Sequence, residues 1–504
     1  MSSHSPSRAI PGRTGDAPRF TGLRNAGRWA RRTSFLVHRW LGVALALLMA
    51  LWTLSGIVMM YVSFPETTRE ERLAGLAPLD LTACCDKAYL PGGVPITAAQ
   101  VEMVAGEPML RWQGPAGPGI ASLANVALPD IGPEQAATVA RDHVQRAFGL
   151  DAQPVVEQIT RDQWTVYGRF RQYGPLYKAS FADDRGTQLY IASGTGEVVQ
   201  DTSAHERFWN WLGAVPHWLY FTALRENQPL WSNLVTYASL LGLFLTVTGI
   251  YVGIRQYGRG KRLSPYRGMA LWHHWTGLIF GIVTLTWVFS GLVSMQPWGT
   301  FESEGPGQAI ERLEGRPLAE ADITTLFTAL RARPQPGVVS AEVVMQAGQP
   351  VAILSAADGS MRRATLPDLT AAPLSAADLR ARAASARPDV PLASAEMITR
   401  ADAYYYGHHT DVVLPAYRAI YADEGQTRLY FDPRSGEVVS FSDSTSRLYR
   451  WLHYGLHRLD FAVLRERPLW DAVMLPLLAG VSALCLLGVW MGVRRLRIKA
   501  RGKR

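Results

Sequence analysis

The chain contains eleven histidines, and four of them are spaced for chemistry. His38 opens the run His38-Arg39-Trp40-Leu41-Gly42, and the apolar stretch behind it reaches Ser55-Gly56. His273-His274-Trp275-Thr276-Gly277 opens a second such run, which reaches Ser290-Gly291; histidine and Ser-Gly are 17 residues apart in both. A second matched pair is His217 and His457. They lie within Trp211-Leu212…His217…Leu224-Arg225-Glu226…Pro229-Leu230-Trp231 and Trp451-Leu452…His457…Leu464-Arg465-Glu466…Pro468-Leu469-Trp470. A neutral imidazole binds a metal through one nitrogen and holds a hydrogen-bonding partner with the other. Two imidazoles facing across a planar gap are the axial ligands of a six-coordinate b-type haem. The expected ligand pairs are His38 with His273 and His217 with His457. Two readings compete: histidine as an interfacial anchor of helix ends, and a zinc or copper centre. The latter would want Cys, Asp or further His close by.

Other residues are placed around these four. His274 and His453 lack a histidine at the matching position, where Arg39 and Gly213 stand. They are expected beside the cofactor or in a proton relay, although each is near enough to its neighbour to displace it as the ligand. Cationic partners for haem propionates are Arg39 and Arg267 on one side and Arg225 and Arg465 on the other; snorkelling is the alternative for each. Gly42, Gly56, Gly277 and Gly291 leave room for a macrocycle or for close helix packing. Of the remaining histidines, His143 and His205 are expected to face solvent, and His408-His409 to lie in an exposed loop. Cys84-Cys85 could form a redox-labile vicinal disulfide, and Cys485 is apolar filler. The sequence has no Gly-rich dinucleotide fingerprint, no Walker motif and no CxxCH attachment site. Any haem is therefore non-covalent, and electrons must come from an external donor.

The elements that position these residues are membrane helices. The composition is 48% hydrophobic and 18% charged, and four apolar runs approach the roughly 20 residues needed to span a bilayer. They lie near Leu41–Val62, Leu234–Ile254, Gly277–Gln296 and Ala472–Val493. Basic residues cluster before His38, in the loop 255–268 and after residue 493. These clusters outweigh the net charge of +9, so the remainder is net acidic. Positive loops stay in the cytoplasm, which puts both termini inside and the two long connections outside. The high pI is thus a matter of topology and does not point to nucleic acid. Arg31-Arg32 before an apolar run has the pattern of a twin-arginine signal, but no small-residue cleavage site follows it. The segment reads as a retained anchor.

The two long connections echo each other. Ala105-Gly106-Glu107-Pro108 matches Ala347-Gly348-Gln349-Pro350, Ile159-Thr160-Arg161 matches Ile398-Thr399-Arg400, and Gly196-Glu197-Val198-Val199 matches Gly436-Glu437-Val438-Val439. Each half reads as helix, α+β domain, interfacial segment, helix, with a pseudo-twofold axis along the membrane normal. Within the first connection the pattern predicts a strand region at Val101–Trp112 and a helix at Pro133–Phe148. Further strands are predicted at Trp164–Gly168, Leu176–Ala182 and Gln188–Ile191.

The His-Arg-Trp-Leu-Gly entrance with its distal Ser-Gly, the Trp-Leu-His…Leu-His segment at 451–457 and the two Gly-Glu-Val-Val strand endings resemble the PepSY-associated transmembrane family. The resemblance covers about residues 30–495. That family includes FoxB-like siderophore reductases and other iron-regulated inner-membrane proteins of bacteria. The resemblance implies a membrane α-helical protein with four transmembrane helices in two parallel repeats, each with a periplasmic α+β PepSY-like domain. Its expected organisation is a cytoplasmic basic tail (1–32), a first span (33–62), a first periplasmic domain with its interfacial segment (63–228) and a second span (229–254). A cytoplasmic loop (255–268), a third span (269–296), a second periplasmic domain with its interfacial segment (297–468), a fourth span (469–493) and a basic tail (494–504) complete it. The resemblance also implies two non-covalent b haems and electron transfer to a periplasmic Fe(III) complex such as a ferric siderophore. A quinol or a cytoplasmic flavoprotein would be the donor. The alternatives are a non-enzymatic PepSY binding or regulatory membrane protein and a haem or iron permease; no broken helix or mid-bilayer charge marks a transport path.

Overall fold

Long uninterrupted apolar segments fold as helices because a buried or lipid-facing backbone must satisfy its own hydrogen bonds. Four such helices are present in the computed structural model: Arg19–Met59, Gln228–Gln256, Met269–Ser294 and Leu469–Arg501. Their membrane-length portions have mean hydropathy of 1.7 to 2.2 for the first two and 1.9 to 2.3 for the last two. Protein covers only 22% to 33% of the most apolar window of each, so most of that apolar surface needs lipid around it. The helices extend beyond the apolar runs, because their polar ends contain no helix breaker. The first ends at Met59, short of Val62, and the last carries Pro476 inside it. The structure describes residues 19–82, 84, 96–115, 117–123, 131–258, 263–408 and 412–501. His4, Cys85 and His409 lie outside the described residues.

The chain divides into two compact units. One comprises the chain up to Ala50, Leu240–Val288 and the chain from Ala479 onward; the other comprises Leu51–Ser239 and Phe289–Leu478. The first unit is made from segments of the four long helices.

The second unit holds the strands, which are β1 (Ala98–Val104), β2 (Glu107–Gln113), β3 (Gly119–Ser122), β4 (Val155–Ile159), β5 (Leu176–Ser180), β6 (Gln188–Ala192), β7 (Val198–Thr202), β8 (Val338–Gln346), β9 (Gln349–Ala356), β10 (Met361–Thr365), β11 (Leu392–Ile398), β12 (Ala416–Tyr421), β13 (Arg428–Phe431) and β14 (Val438–Ser442). They form two antiparallel four-stranded sheets, β4-β5-β6-β7 and β11-β12-β13-β14, and one six-stranded sheet, β10-β9-β8-β1-β2-β3. The six-stranded sheet joins strands from both long connections through β1 and β8, where Val101 opposes Ala341 and Glu102 opposes Ser340. The predicted strand region Val101–Trp112 is the hairpin β1-β2. Its two-residue turn, Ala105-Gly106, has φ of 49° and 84°. This double positive φ is what a tight hairpin needs and what glycine permits. Ala347 and Gly348 turn β8 into β9 in the same way, with φ of 50° and 77°.

Each four-stranded sheet buries one face under helices. Ala136, Ala140 and Val144 of the helix Pro133–Phe148 pack on Tyr177, Ala179, Leu189 and Ile191. Ala309, Leu313, Leu379 and Ala383 pack on Tyr417, Ala419, Leu429 and Phe431. The expected strand at Trp164–Gly168 is not formed. Asp162 accepts from the Trp164 amide at 2.9 Å, and the Thr165 hydroxyl accepts from the Asp162 amide at 2.9 Å. These side chains compete for the backbone groups a ladder would need, and Trp164 and Val166 turn into an aromatic cluster. His143, expected to face solvent, is 3% exposed, because its helix packs that face onto Gly75. His205 is exposed.

The other face of the six-stranded sheet is charged. Glu102 is fully buried between Arg72, at 2.8 Å, and Arg111. Burial alone would raise this carboxyl, but the two guanidinium groups hold it below the ordinary range. Arg111 Nε donates to the Thr195 carbonyl at 3.0 Å, and Gln346 Nε2 donates to the Ser435 carbonyl at 2.7 Å. Each bond ties the six-stranded sheet to the turn before a Gly-Glu-Val-Val strand. Cys84 is buried and disulfide-bonded.

Candidate functional site

In the first unit, His38 and His273 face each other with ring centroids 6.3 Å apart and ring planes 36° apart. An imidazole nitrogen binds a transition metal at about 2 Å, which puts the centroids of two opposed ligands about 6 Å apart. His38 Nδ1 is 3.1 Å from the Leu245 carbonyl, so the other ring nitrogen remains for a metal. The Leu484 carbonyl stands beside His273, whose Nδ1 is buried without a closed hydrogen bond. Both rings line a cavity of about 370 Å³ together with Gly42, Gly277, Arg39 and Arg495.

The second helix approaches His38 through Gly249, and the fourth approaches His273 through Gly488. A Cβ at Gly249 would lie 2.7 Å from His38 Cε1, and one at Gly488 would lie 3.8 Å from His273 Cε1. Each glycine follows its carbonyl-bearing leucine by one helical turn. Sequence reasoning missed Gly249, Gly488 and Arg495. The available signal was the matched spacing Gly249…Gly253 and Gly488…Gly492 on the two return helices. Arg267 is exposed and does not border this cavity. His274 is 6% exposed, with Nδ1 2.9 Å from the Ser264 hydroxyl and Nε2 2.9 Å from the Gly253 carbonyl. Both of its nitrogens are engaged, so it serves as a structural neighbour of His273.

In the second unit, His217 and His457 face each other with centroids 6.0 Å apart. Their seats are the two Ser-Gly pairs. His217 Nδ1 is 3.0 Å from the Trp52 carbonyl and 3.1 Å from the Ser55 hydroxyl, and His457 Nδ1 is 2.9 Å from the Ser290 hydroxyl. Gly56 and Gly291 lie against the rings: a Cβ there would meet His217 Cε1 at 3.6 Å and His457 Cε1 at 4.0 Å, both ordinary contacts. Burial lowers the His217 imidazole to about 4, with the Trp52 carbonyl partly opposing. The ring is thus neutral, as a metal ligand must be. Ser55 and Ser290 contact the two rings, although sequence reasoning used them only as landmarks.

Local structure delivers His217 and His457 differently. Ser203 caps the helix Ala204–Leu212 in a box with Glu206, Gly213 breaks the helix, and a short helix Ala214–Trp218 carries His217. In the second half, Asp443 caps Ser444–Arg450, and the chain runs through a π-turn, Trp451–Gly455, into Leu456–Arg458. Such π-turns are frequent at functional sites. This one carries His453, whose ring is 5.4 Å from that of His457 and whose Nδ1 is 3.1 Å from the Ser290 carbonyl. At Gly213 a Cβ would meet Val58 at 3.0 Å, so the first half has no room for a matching histidine. Both short segments are stapled to the following long helix. Trp231 Nε1 donates to the Trp218 carbonyl at 2.8 Å, and Trp470 Nε1 donates to the Arg458 carbonyl at 2.7 Å.

Arg225 and Arg465 sit among aromatic rings. Arg225, 6% exposed, stacks on Trp231 at 4.4 Å and Tyr220 at 5.2 Å. Arg465 lies 4.0 Å over Tyr406, and its Nη1 points at the Asp402 carbonyl at 3.4 Å. Arg225 Nε and Nη1 and Arg465 Nε are buried without hydrogen-bond partners, so each retains donors for an anion. His408, expected in an exposed loop, is instead packed: it pairs with Asp460, and its ring meets Trp470 edge-on at 5.0 Å. Among the described residues, no group of three or more His, Cys, Asp or Glu could hold a bare metal ion. Each place offers two opposed imidazoles, which would suit a group that brings further ligands of its own.

Four membrane-length helices and an attached α+β domain define a multi-pass membrane protein. The chain belongs to the PepSY-associated TM region family, whose family model matches residues 35–351. No curated protein shows a significant match.

Proposed function

We propose that this protein is a di-haem b oxidoreductase of the bacterial inner membrane. It passes electrons from a quinol or a cytoplasmic flavoprotein to a periplasmic Fe(III) complex, most simply a ferric siderophore. The observation that carries this reading is the pair of opposed imidazole couples, 6.3 Å and 6.0 Å between centroids. In three of the four rings Nδ1 is held by a carbonyl or hydroxyl. His38 and His273 hold one haem and His217 and His457 the other, each non-covalently. A bound haem b supplies a one-electron carrier at each place.

The protein's own groups position and insulate. The Leu245 and Trp52 carbonyls and the Ser55 and Ser290 hydroxyls fix ring orientation and raise ligand basicity. Arg39 and Arg495 offer cations to propionates at the first site, and Arg225 and Arg465 are the cationic candidates near the second. The two halves form a parallel repeat with both termini cytoplasmic, supported by the matched motifs and the basic clusters. The family match supports a membrane protein of this class.

The test is a reduced-minus-oxidised spectrum of the purified protein with haem quantified per chain. Two low-spin b haems are expected, one lost in His38→Ala and the other in His217→Ala. A colourless protein from haem-sufficient cells refutes the proposal and favours a binding or regulatory role.

A further inference from the structure

The two halves differ most around the outer arginines. In the first half Arg225 sits among Tyr220, Tyr167 and Trp231, an apolar aromatic box. In the second half the position matching Tyr220 is Asp460, which is 1% exposed. Its carboxylate accepts from the Tyr406 hydroxyl at 3.0 Å and pairs with His408 Nδ1. Its carbonyl accepts from Arg450 Nη2. Arg450, 5% exposed, lies 3.9 Å over Trp451 and 5.1 Å over Tyr406. A buried carboxylate holding an imidazole by one nitrogen is the arrangement that orients a histidine and stabilises its protonated form. Asp460 stands three residues beyond His457, and its charge acts on His453, which touches the His457 ring. This cluster plays no part in holding the two rings, and the first half has no counterpart.

Resting on the proposed function, we propose that the His408–Asp460 dyad couples proton uptake to electron delivery at the His217/His457 site. For each electron that arrives there, the His408 imidazole gains one proton from extracytoplasmic water. When the electron passes to the Fe(III) acceptor, the proton passes to the chelating oxygen that leaves the metal as Fe(II) forms. Charge therefore stays balanced on both sides of the step. A negative charge gained in a low-dielectric setting is costly unless a positive one accompanies it. The groups facing the dyad are Tyr406, Arg450, Arg458 and Trp470, with Arg465 over the Tyr406 ring. Burial works to raise the Asp460 carboxyl, but His408, Tyr406 and Arg458 outweigh it and keep the carboxyl below its ordinary range. The carboxylate thus stays charged beside the His408 imidazole.

The experiment is a redox titration of the purified full-length protein, followed by haem absorbance, over about pH 5 to 8, where histidine changes charge. One haem is expected to fall in midpoint potential by up to about 59 mV per pH unit, the value for one proton per electron. The other provides an internal reference. In His408→Gln and Asp460→Asn the slope should disappear while both haems remain low-spin. Tyr406→Phe, which keeps the dyad but removes a donor to the carboxylate, should displace the sloping region to higher pH without flattening it. Unchanged slopes in His408→Gln and Asp460→Asn, with both haems bound, overturn the coupling and leave the di-haem reading standing. A colourless wild-type protein overturns both.

Discussion

Gly249→Ala tests the inner site most sharply, because the same change at the matching position is predicted to be harmless. In the interior of a helix, Gly→Ala stabilises by about 1 kcal/mol, so neither change should weaken its helix. The added methyl at position 249 would stand 2.7 Å from His38 Cε1 and 3.1 Å from its Nδ1. Comfortable carbon contacts begin near 3.5 Å, so the ring must retreat by roughly 0.8 Å or rotate. Either motion strains the 3.1 Å contact between His38 Nδ1 and the Leu245 carbonyl. It also moves the ring beyond the roughly 0.5 Å tolerance of a preorganised site. At position 488 the methyl meets His273 Cε1 at 3.8 Å and the Ala46 Cβ at 3.6 Å, which are ordinary contacts. Haem per chain should therefore fall from two towards one in Gly249→Ala and stay at two in Gly488→Ala. Thermal unfolding of Gly488→Ala should show it at least as stable as the wild type. If Gly249→Ala keeps two haems with unaltered spectra, or Gly488→Ala loses as much as Gly249→Ala, the cavity between His38 and His273 is not where the cofactor sits.

Two further predictions concern the second unit. Ser290→Ala removes the hydroxyl 2.9 Å from His457 Nδ1; affinity for the haem proposed at His217/His457 should drop about 10- to 100-fold, the usual effect of losing such a partner, with the haem at His38/His273 unaffected in the same sample. Glu342 gives a pH prediction. Burial, reinforced by Glu437 and opposed by Arg69 and Arg72, pushes its carboxyl from 4.5 up to about 7. The folded state then holds this proton more tightly than the unfolded chain does. Stability from this group is full below about pH 4.5 and is lost as pH rises through about 7, by up to ~3 kcal/mol. Glu342→Gln should flatten the dependence of the thermal unfolding midpoint on pH over that window and raise the midpoint at pH 8. Parallel curves for the two proteins would show that Glu342 is already ionised in the folded state.

Much of this protein is local information. Four helices were legible because 20-residue apolar runs have one stable backbone arrangement in lipid. The strand region Val101–Trp112 was legible from its apolar pattern, but the hairpin turns at Ala105-Gly106 and Ala347-Gly348 were seen only in the folded chain. The four histidines were legible because they fall at matching places in two halves of one sequence. Trp164–Gly168 was misread because alternation of apolar residues says nothing about Asp162, whose side chain took the amide of Trp164.

What the sequence left open depended on which distant residues meet. Nothing near His273-His274 indicates that Ser264 and the Gly253 carbonyl take both nitrogens of His274. Choosing between adjacent imidazoles needs the second helix in place. Ser55 and Ser290 read as markers of a repeat until His217 and His457, 162 and 167 residues away, lie against them. The sharing of one six-stranded sheet between the two long connections rests on β1 pairing with β8 across more than 200 residues. His408 was expected in an exposed loop; Asp460 and Trp470 pack against it, and only the folded chain brings them there. Sequence alone determined the membrane helices and the residue types available for chemistry, since these depend on composition and spacing. Tertiary structure alone decided which nitrogen points where, because hydrogen-bond partners distant in sequence set that.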